Sequence, residues 1–392
     1  MRGRADAGAG LVIVHDQIAE LGGSERVLAA IVNRYPQARL VAPSFTSGNG
    51  APPAPWAERT RVVGIGGRRM HFLAPLYARR VAGHPLGDAR VVLSMAHGGW
   101  SLAAGVPPGA RHVCYCAGLS RALYGHTGRY LLDYPPLARP LIRAALPALR
   151  AHDRMLLRRP HRLLTNSIDS RDALARVHGR RAEVVHPPVR TEFFTPAVRE
   201  RRHVLAVSRL VRHKRIDLLV DAFRGLDEQL VVAGGGPQLE ELRARAPANV
   251  SFTGFVSDEE LRELYRGAIA LCCPSVEEFG IVMAEALSSG VPVVAPRAGG
   301  AVEIVTAGVT GLLVERPDAS GLAAAVRDLR GRRFDPRACR SGALRFSERR
   351  FLSAFEQVLD EEFALAGAPP PRRRAGVRVA QEHRARAPLA PR

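Results

Sequence analysis

Short apolar runs bounded by turn residues alternate along the chain with longer stretches of helical period, the pattern of parallel α/β units. In the first half the runs predict strands at Leu11–Asp16, Leu40–Phe45, Val62–Ile65, Val91–Met95, His112–Cys116, Leu163–Asn166 and Glu183–His186. The series then restarts, with strands predicted at His203–Ser208, Leu230–Ala233, Ser251–Phe252, Ala270–Cys273, Val293–Ala295 and Leu312–Val314. Helical stretches separate the second set, among them Arg215–Arg224, Asp258–Gly267, Phe279–Ser289 and Ala319–Arg330. Between the two series lies HPPVRTEFFTPAVRERRH, whose paired prolines and charge run predict a hinge near residues 186–202. Two doubly wound sheets joined by a hinge leave a cleft between their carboxyl edges, where such sheets bind ligands.

The segment SERRFLSAFEQVLDEEF has a capping serine, Ser347, and apolar residues at helical spacing, so it predicts a terminal amphipathic helix. The remainder, GAPPPRRRAGVRVAQEHRARAPLAPR, has no apolar periodicity and reads as a disordered basic tail. The expected organisation is therefore a first Rossmann-like unit over 1–190, a second over 191–365 and the tail over 366–392.

With 392 residues and 46% apolar content, each unit can bury a full core, and wholesale disorder or a fibrous class is excluded. The net charge of +20 is unevenly spread. Residues 1–200 carry 28 basic and 13 acidic groups, residues 201–371 carry 22 and 23, and the last 21 residues carry 7 and 1. All the basic residues but one are arginine, and the one lysine is Lys214. The apolar run after the N-terminus is cut at Asp16 and reads as a strand rather than a secretory leader. No run reaches the roughly 18 apolar residues of a spanning helix. Five cysteines, none in a Cys-x-x-Cys pair, predict reduced core thiols in a cytoplasmic protein.

The most informative segment for chemistry runs from Pro274 to Val314. It puts Glu277 in a loop after a buried strand, Phe279 and Gly280 at the opening of a helix, and Glu285 on that helix. Free amides of a first helical turn favour an anion, and a glycine there lets a ligand touch the backbone. Two carboxylates beside an anion site suit a sugar diphosphate: hydroxyls on Glu277, ribose on Glu285. Read alone, the pair equally fits an exposed and a helix-face glutamate. In VLAVSRLVRHKRIDLL, Arg209 follows a strand end and Lys214 precedes a helix, so both cations face the same cleft and could clamp a diphosphate. A compact ammonium retained at one place in an arginine-dominated composition points to a phosphate contact that a planar guanidinium fits poorly. Gly22-Gly23 before a helix, and Gly234–Gly236 after a strand, suit a phosphate or nucleotide edge, and by themselves also fit plain tight turns.

Taken together, these segments resemble the family-four retaining glycosyltransferases with the GT-B fold over about residues 11–363, most closely the subgroup that includes O-antigen mannosyltransferases. The resemblance rests on VHDQIAELGGSERVL, HVCYC, LLTNSIDSRDALARVHGRRAEVVHPPVRTEFF, SRLVRHKRIDLLVDAF, AGGGP, VSFTGFVSDEEL and EEFGIVMAE, in order and spacing. It implies an α/β chain of two Rossmann-like domains facing a cleft, the first for the acceptor and the second for the donor, with a C-terminal helix after the second. It implies retaining transfer of a hexose from a nucleotide-diphosphate sugar, GDP-mannose or a UDP-sugar, with no cofactor and no metal. Arg209 and Lys214 would stabilise the departing diphosphate. Glu277 would hold sugar hydroxyls, Glu285 the ribose, and Gly22, Gly23, Gly235, Phe255, Phe279, Gly280 and Ile281 would border the donor. No Asp-x-Asp occurs, so cationic side chains are expected in place of a divalent ion.

In the subgroup HVCYC is followed by His-Thr-Pro, and that histidine lies near the anomeric carbon. Here Ala117-Gly118-Leu119 stands instead. His97 and, less so, His126 are the candidates to supply a polar group, and the alternative is a catalytically impaired nucleotide-sugar-binding partner. The expected acceptor is a lipid-linked saccharide or a small molecule. The basic first half would suit an anionic membrane surface, with the protein peripheral at its inner face. Nucleic acid is not an expected partner, since no reader motif accompanies the charge.

Overall fold

In the computed structural model the described residues are 8–16, 22–42, 61–62, 74–96, 99–125, 127–132 and 134–367. Two parallel sheets organise them. The first has seven strands, β1 (Leu11–His15), β2 (Arg39–Ala42), β3 (Arg61–Val62), β4 (Val91–Ala96), β5 (Arg111–Cys116), β6 (Arg162–Thr165) and β7 (Glu183–Val184), in the order β3-β2-β1-β4-β5-β6-β7. The second has six, β8 (His203–Val207), β9 (Gln229–Ala233), β10 (Val250–Gly254), β11 (Ala268–Cys272), β12 (Val293–Pro296) and β13 (Gly311–Val314), in the order β10-β9-β8-β11-β12-β13. Every strand pair is parallel. Helices cover both faces, so central strands such as LVIVH and VVLSMA are buried at every position and read as continuous apolar runs. Each predicted strand has a counterpart in the fold, and residues 43–45 and 63–65 of the predicted second and third strands lie outside the described residues.

Each sheet reverses its strand order once, between β1 and β4 and between β8 and β11. At such a point the connections leave in opposite directions and open a crevice beyond the carboxyl ends of the strands. The loops after β8 and β11 carry Arg209, Lys214 and Glu277, the residues singled out by the sequence.

The last helix corrects an expected boundary. Glu348–Leu365 does not lie on the second unit; its Phe351, Phe355, Val358 and Leu359 pack with Leu11, Ile13, Leu93 and Tyr115 in the first core. Arg111 donates to Glu362 at 2.7 Å, and Arg162 pairs with Glu361 at 2.5 Å. The acidic helix thus meets the arginines of the basic first sheet. The chain therefore crosses between units twice, and the crossings pair: Val189 N donates to Phe346 O at 2.9 Å and Glu348 N to Val189 O at 3.0 Å. All five cysteines are free and buried. Among the described residues no helix is long and apolar enough to cross a membrane.

Candidate active site

The site begins with the loop Cys273–Gly280, which leaves β11 and enters the helix Ile281–Ser288. Gly280 is that helix's N-cap and has φ +97, a left-handed conformation that a side chain disfavours. The loop is held from behind by Gly300: its amide donates to Glu277 O at 2.9 Å, and a Cβ there would come within 2.2 Å of Phe279 O. The backbone clamp fixes where Glu277 points.

Glu277 is 12% exposed and its two oxygens are engaged differently. Lys214 Nζ donates to Oε2 at 2.6 Å and Ser275 Oγ donates to Oε1 at 2.6 Å. Arg121, from the first unit, brings Nη2 to 3.9 Å of the same Oε2 while its guanidinium holds Glu278 in a bidentate pair. Burial works against the charge of Glu277, but Lys214 and Arg121 outweigh it and its pKa falls below the ordinary carboxylate value. Burial likewise opposes the charge of Arg121, and Glu278 and Glu277 more than restore it. Arg209 is exposed and has no ion-pair partner among the described residues. His213, stacked on Tyr130 with ring centroids 6.4 Å apart, is held neutral: burial, then Arg121, Lys214 and Arg209, push its pKa down to about 3. Arg121, Lys214 and Arg209 against Glu277 and Glu278 leave three cations facing two carboxylates. The site therefore has an excess positive charge beside a helix N-terminus, a setting that favours a phosphorylated ligand.

Other expected residues fall differently. Glu285 is 1% exposed, paired with Arg26 of the first unit and accepting from Tyr265 OH at 3.1 Å, so as the units stand it faces a buried contact between them rather than an opening for ribose. Phe279 is 3% exposed, its ring 5.1 Å from Phe346 and 5.7 Å from His186, so its side chain belongs to the second core and only its backbone is left for a ligand. Gly22-Gly23 and Ile281 do meet across the cleft: a Cβ on Gly23 would lie 3.3 Å from Ile281 Cδ1. Gly235 has open space where a Cβ would stand, and its carbonyl accepts from Leu210 N at 2.8 Å. Phe255, just beyond β10, is 66% exposed. His97 and His126 lie outside the described residues.

Three participants escaped the sequence. Arg121, Arg26 and His213 lie in or beside quoted motifs, yet nothing in their spacing sets two arginines apart from the other 54. Arg121 is four residues after Ala117, in the segment where the subgroup's histidine is missing. Gly118, in the same segment, is so close to Glu278 that a Cβ would come within 2.9 Å of its Cγ.

Residues 190–340 match the family described as "Glycosyl transferases group 1". The GDP-mannose-dependent alpha-(1-6)-phosphatidylinositol monomannoside mannosyltransferase of Mycolicibacterium smegmatis is 35% identical over 192 residues, covering 41% of this chain and 50% of that protein. The D-inositol 3-phosphate glycosyltransferase 1 of Catenulispora acidiphila is 32% identical over 235 residues, covering 51% and 56%. The chain thus spans about half the length of these curated relatives. Among solved structures, Anabaena Alr3699/HepE in complex with UDP and glucose superposes with a TM-score of 0.66 at 19% identity, covering 89% of this chain and 99% of that one. Sucrose-phosphate synthase from Thermosynechococcus elongatus gives 0.67 at 19%, covering 90% and 99%. The two facing sheets are a GT-B fold, and residues 190–340 of the second unit are similar to the group 1 glycosyl transferases.

Proposed function

We propose that this chain is a retaining hexosyltransferase that uses a nucleotide-diphosphate sugar, bound by the second unit, and an acceptor held by the first. The observation that carries the reading is the Lys214–Glu277 contact at 2.6 Å, made by residues on the two loops that flank the second sheet's reversal point, with Arg209 beside it. As the structure stands, Lys214 and Glu277 neutralise each other. An arriving diphosphate offers Lys214 and Arg209 a stronger anionic partner, which frees Glu277 to accept hydrogen bonds from sugar hydroxyls. As the bond from the anomeric carbon to the β-phosphate oxygen breaks, charge grows on that oxygen, and cations already in place stabilise it without reorganising. Side chains thereby do what a divalent ion does in other transferases, and neither a cofactor nor a metal is required. The leaving phosphate assists the acceptor hydroxyl on the same face of the sugar, which gives retention.

GDP-mannose is the donor named for the Mycolicibacterium relative, and UDP is bound in the Anabaena structure. GDP-mannose and UDP-sugars are accordingly the donors to test. The acceptor is a lipid-linked saccharide or a small polyol. Ala117 motivates a second reading, a donor-binding protein with impaired transfer. Arg121 argues against it, because it delivers a first-unit cation to the donor carboxylates where the histidine is absent. A panel of nucleotide sugars, assayed for binding and for release of nucleoside diphosphate with and without acceptors, tests the proposal. Donor hydrolysis or transfer abolished by Lys214→Ala is the expected result. Binding without hydrolysis or transfer favours the second reading, and binding of no donor ends both.

A further inference from the structure

The helix Ala138–Leu157 is the longest in the described structure, and it is only half employed. One face packs inward through Ile142, Leu146, Leu149, Leu156 and Leu157. The opposite face carries Leu137, Leu141, Ala144, Ala148, Ala151 and Met155 at helical spacing. Leu137 is 90% exposed, Leu141 73% and Met155 55%, with nothing packed over them among the described residues. Along one flank of this apolar stripe run Arg139, Arg143, Arg150, Arg154 and Arg158. Arg143, Arg154 and Arg158 are exposed and have no ion-pair partner among the described residues. The helix's one carboxylate, Asp153, is buried on the inner side, where Tyr124 OH donates to it at 2.9 Å.

We infer that this helix seats the first unit on an anionic lipid surface, with the Leu137–Leu141–Met155 stripe in the acyl boundary and the arginines at the headgroups. A helix lying in a membrane interface has this division into apolar face and cationic flank. The charge selects the occupant. A second copy docked stripe to stripe would bring one set of unpaired arginines against another, with no exposed acid on the helix to separate them, whereas acidic headgroups neutralise them. The placement also suits the cleft. Tyr124 OH donates to Asp153 of the helix and Arg150 Nε to Leu123 O at 3.0 Å, so the helix is bonded to the short segment Arg121–Tyr124 whose first residue reaches Glu277 and Glu278. A molecule held at the surface enters next to the candidate site. The inference does not depend on the reading of that site, since it is measured without turnover.

The test is co-sedimentation of the full chain with vesicles of phosphatidylcholine alone and of phosphatidylcholine mixed with phosphatidylglycerol. Binding to the mixed vesicles, weakened by salt, is expected. In Leu141→Glu/Met155→Glu the affinity should fall on the order of a hundredfold, about tenfold for each apolar side chain kept out of the interface. Arg143→Gln/Arg158→Gln should weaken binding to mixed vesicles and leave the weak binding to phosphatidylcholine unchanged. A control, Arg372→Gln/Arg373→Gln/Arg374→Gln, should bind as the parent does. All substituted helix positions are exposed, and unchanged thermal midpoints verify folding. The inference is overturned if the parent ignores the mixed vesicles, if both helix variants bind as well as the parent, if the tail variant alone loses binding, or if the stripe proves to cover a dimer that Leu141→Glu/Met155→Glu dissociates.

Discussion

Replacing Lys214 by alanine separates the functional from the structural part of the Glu277 cluster. Lys214 Nζ lies 2.6 Å from Glu277 Oε2 and Arg121 Nη2 lies 3.9 Å from the same atom. At equal effective dielectric, attraction scales inversely with distance, so Arg121 supplies about two-thirds of the pull of Lys214. The variant therefore does not strand a buried carboxylate. Its cost to folding should be about 1 kcal/mol, the size of one hydrogen bond, rather than the ~3–5 kcal/mol of an abandoned buried charge. Turnover should fall by about a hundredfold to a thousandfold, the usual loss when one preorganised donor to a developing charge is removed. Affinity for GDP or UDP should fall by about tenfold or more. Lys214→Arg should recover little, because a planar fork replaces a compact ammonium.

The protonation of Glu277 gives an independent readout. In the parent its pKa is held below the ordinary value of 4.5, so its contribution to stability is present above that value and lost as pH falls through the lowered one. Without Lys214 the burial penalty is less opposed and the pKa rises, which moves the acid limb of residual activity to higher pH. The double variant Lys214→Ala/Arg121→Ala moves it further and adds the larger folding cost. Calorimetric titration with GDP and UDP, a nucleoside diphosphate release assay across pH, and thermal midpoints measure all three effects. Unchanged turnover in Lys214→Ala, or an acid limb that does not shift, would refute the reasoning.

Further outcomes follow from other contacts. Arg26→Met leaves Glu285, 1% exposed, with only the Tyr265 hydroxyl, and should cost about 3 kcal/mol, visible as a lower thermal midpoint. Adding Glu285→Gln should recover part of that loss, and simple additivity would contradict the pairing. Gly300→Ala must push back the Glu277–Phe279 loop, since its Cβ would sit 2.2 Å from Phe279 O. Donor turnover should drop far more than the ~1–3 kcal/mol of overpacking explains, and an active, well-folded variant would show the clamp to be dispensable. Asp153 is raised by burial to about 6 from an ordinary 3.8, so the fold loses stability as pH rises from about 4 to about 6 and stays lower above that window. Asp153→Asn should therefore gain little below about pH 4 and on the order of 3 kcal/mol above about pH 6, by denaturant midpoints at the two ends; an equal effect at both would exclude the titration.

The strands were legible because parallel strands under helices are buried on both faces, and a run such as LVIVH or VVLSMA has few other uses. Arg209, Lys214 and Glu277 were legible for a related reason: they lie on the loops that leave two adjacent strands, and the carboxyl edge of a doubly wound sheet is where such residues meet a ligand. That the Phe279 ring turns inward was not legible because its neighbours on both sides are loop residues, and only packing decides which side chain of a loop turns inward. Glu285 was assigned to an open cleft because the helix spacing fixes its face and not what the other unit brings against that face.

The amino-acid sequence alone determined two α/β units, their strand positions and the loops that carry Arg209, Lys214 and Glu277, because each of these depends on short-range periodicity and on local turn residues. Tertiary structure decided which sheet the last helix covers, which two of 56 arginines reach Glu277 and Glu285, and which face of Ala138–Leu157 is left bare. Hydrophobic burial is non-directional, so an amphipathic period states that a face is buried without naming its partner. Arginines alike in sequence become different only when folding places one of them within 4 Å of a buried carboxylate.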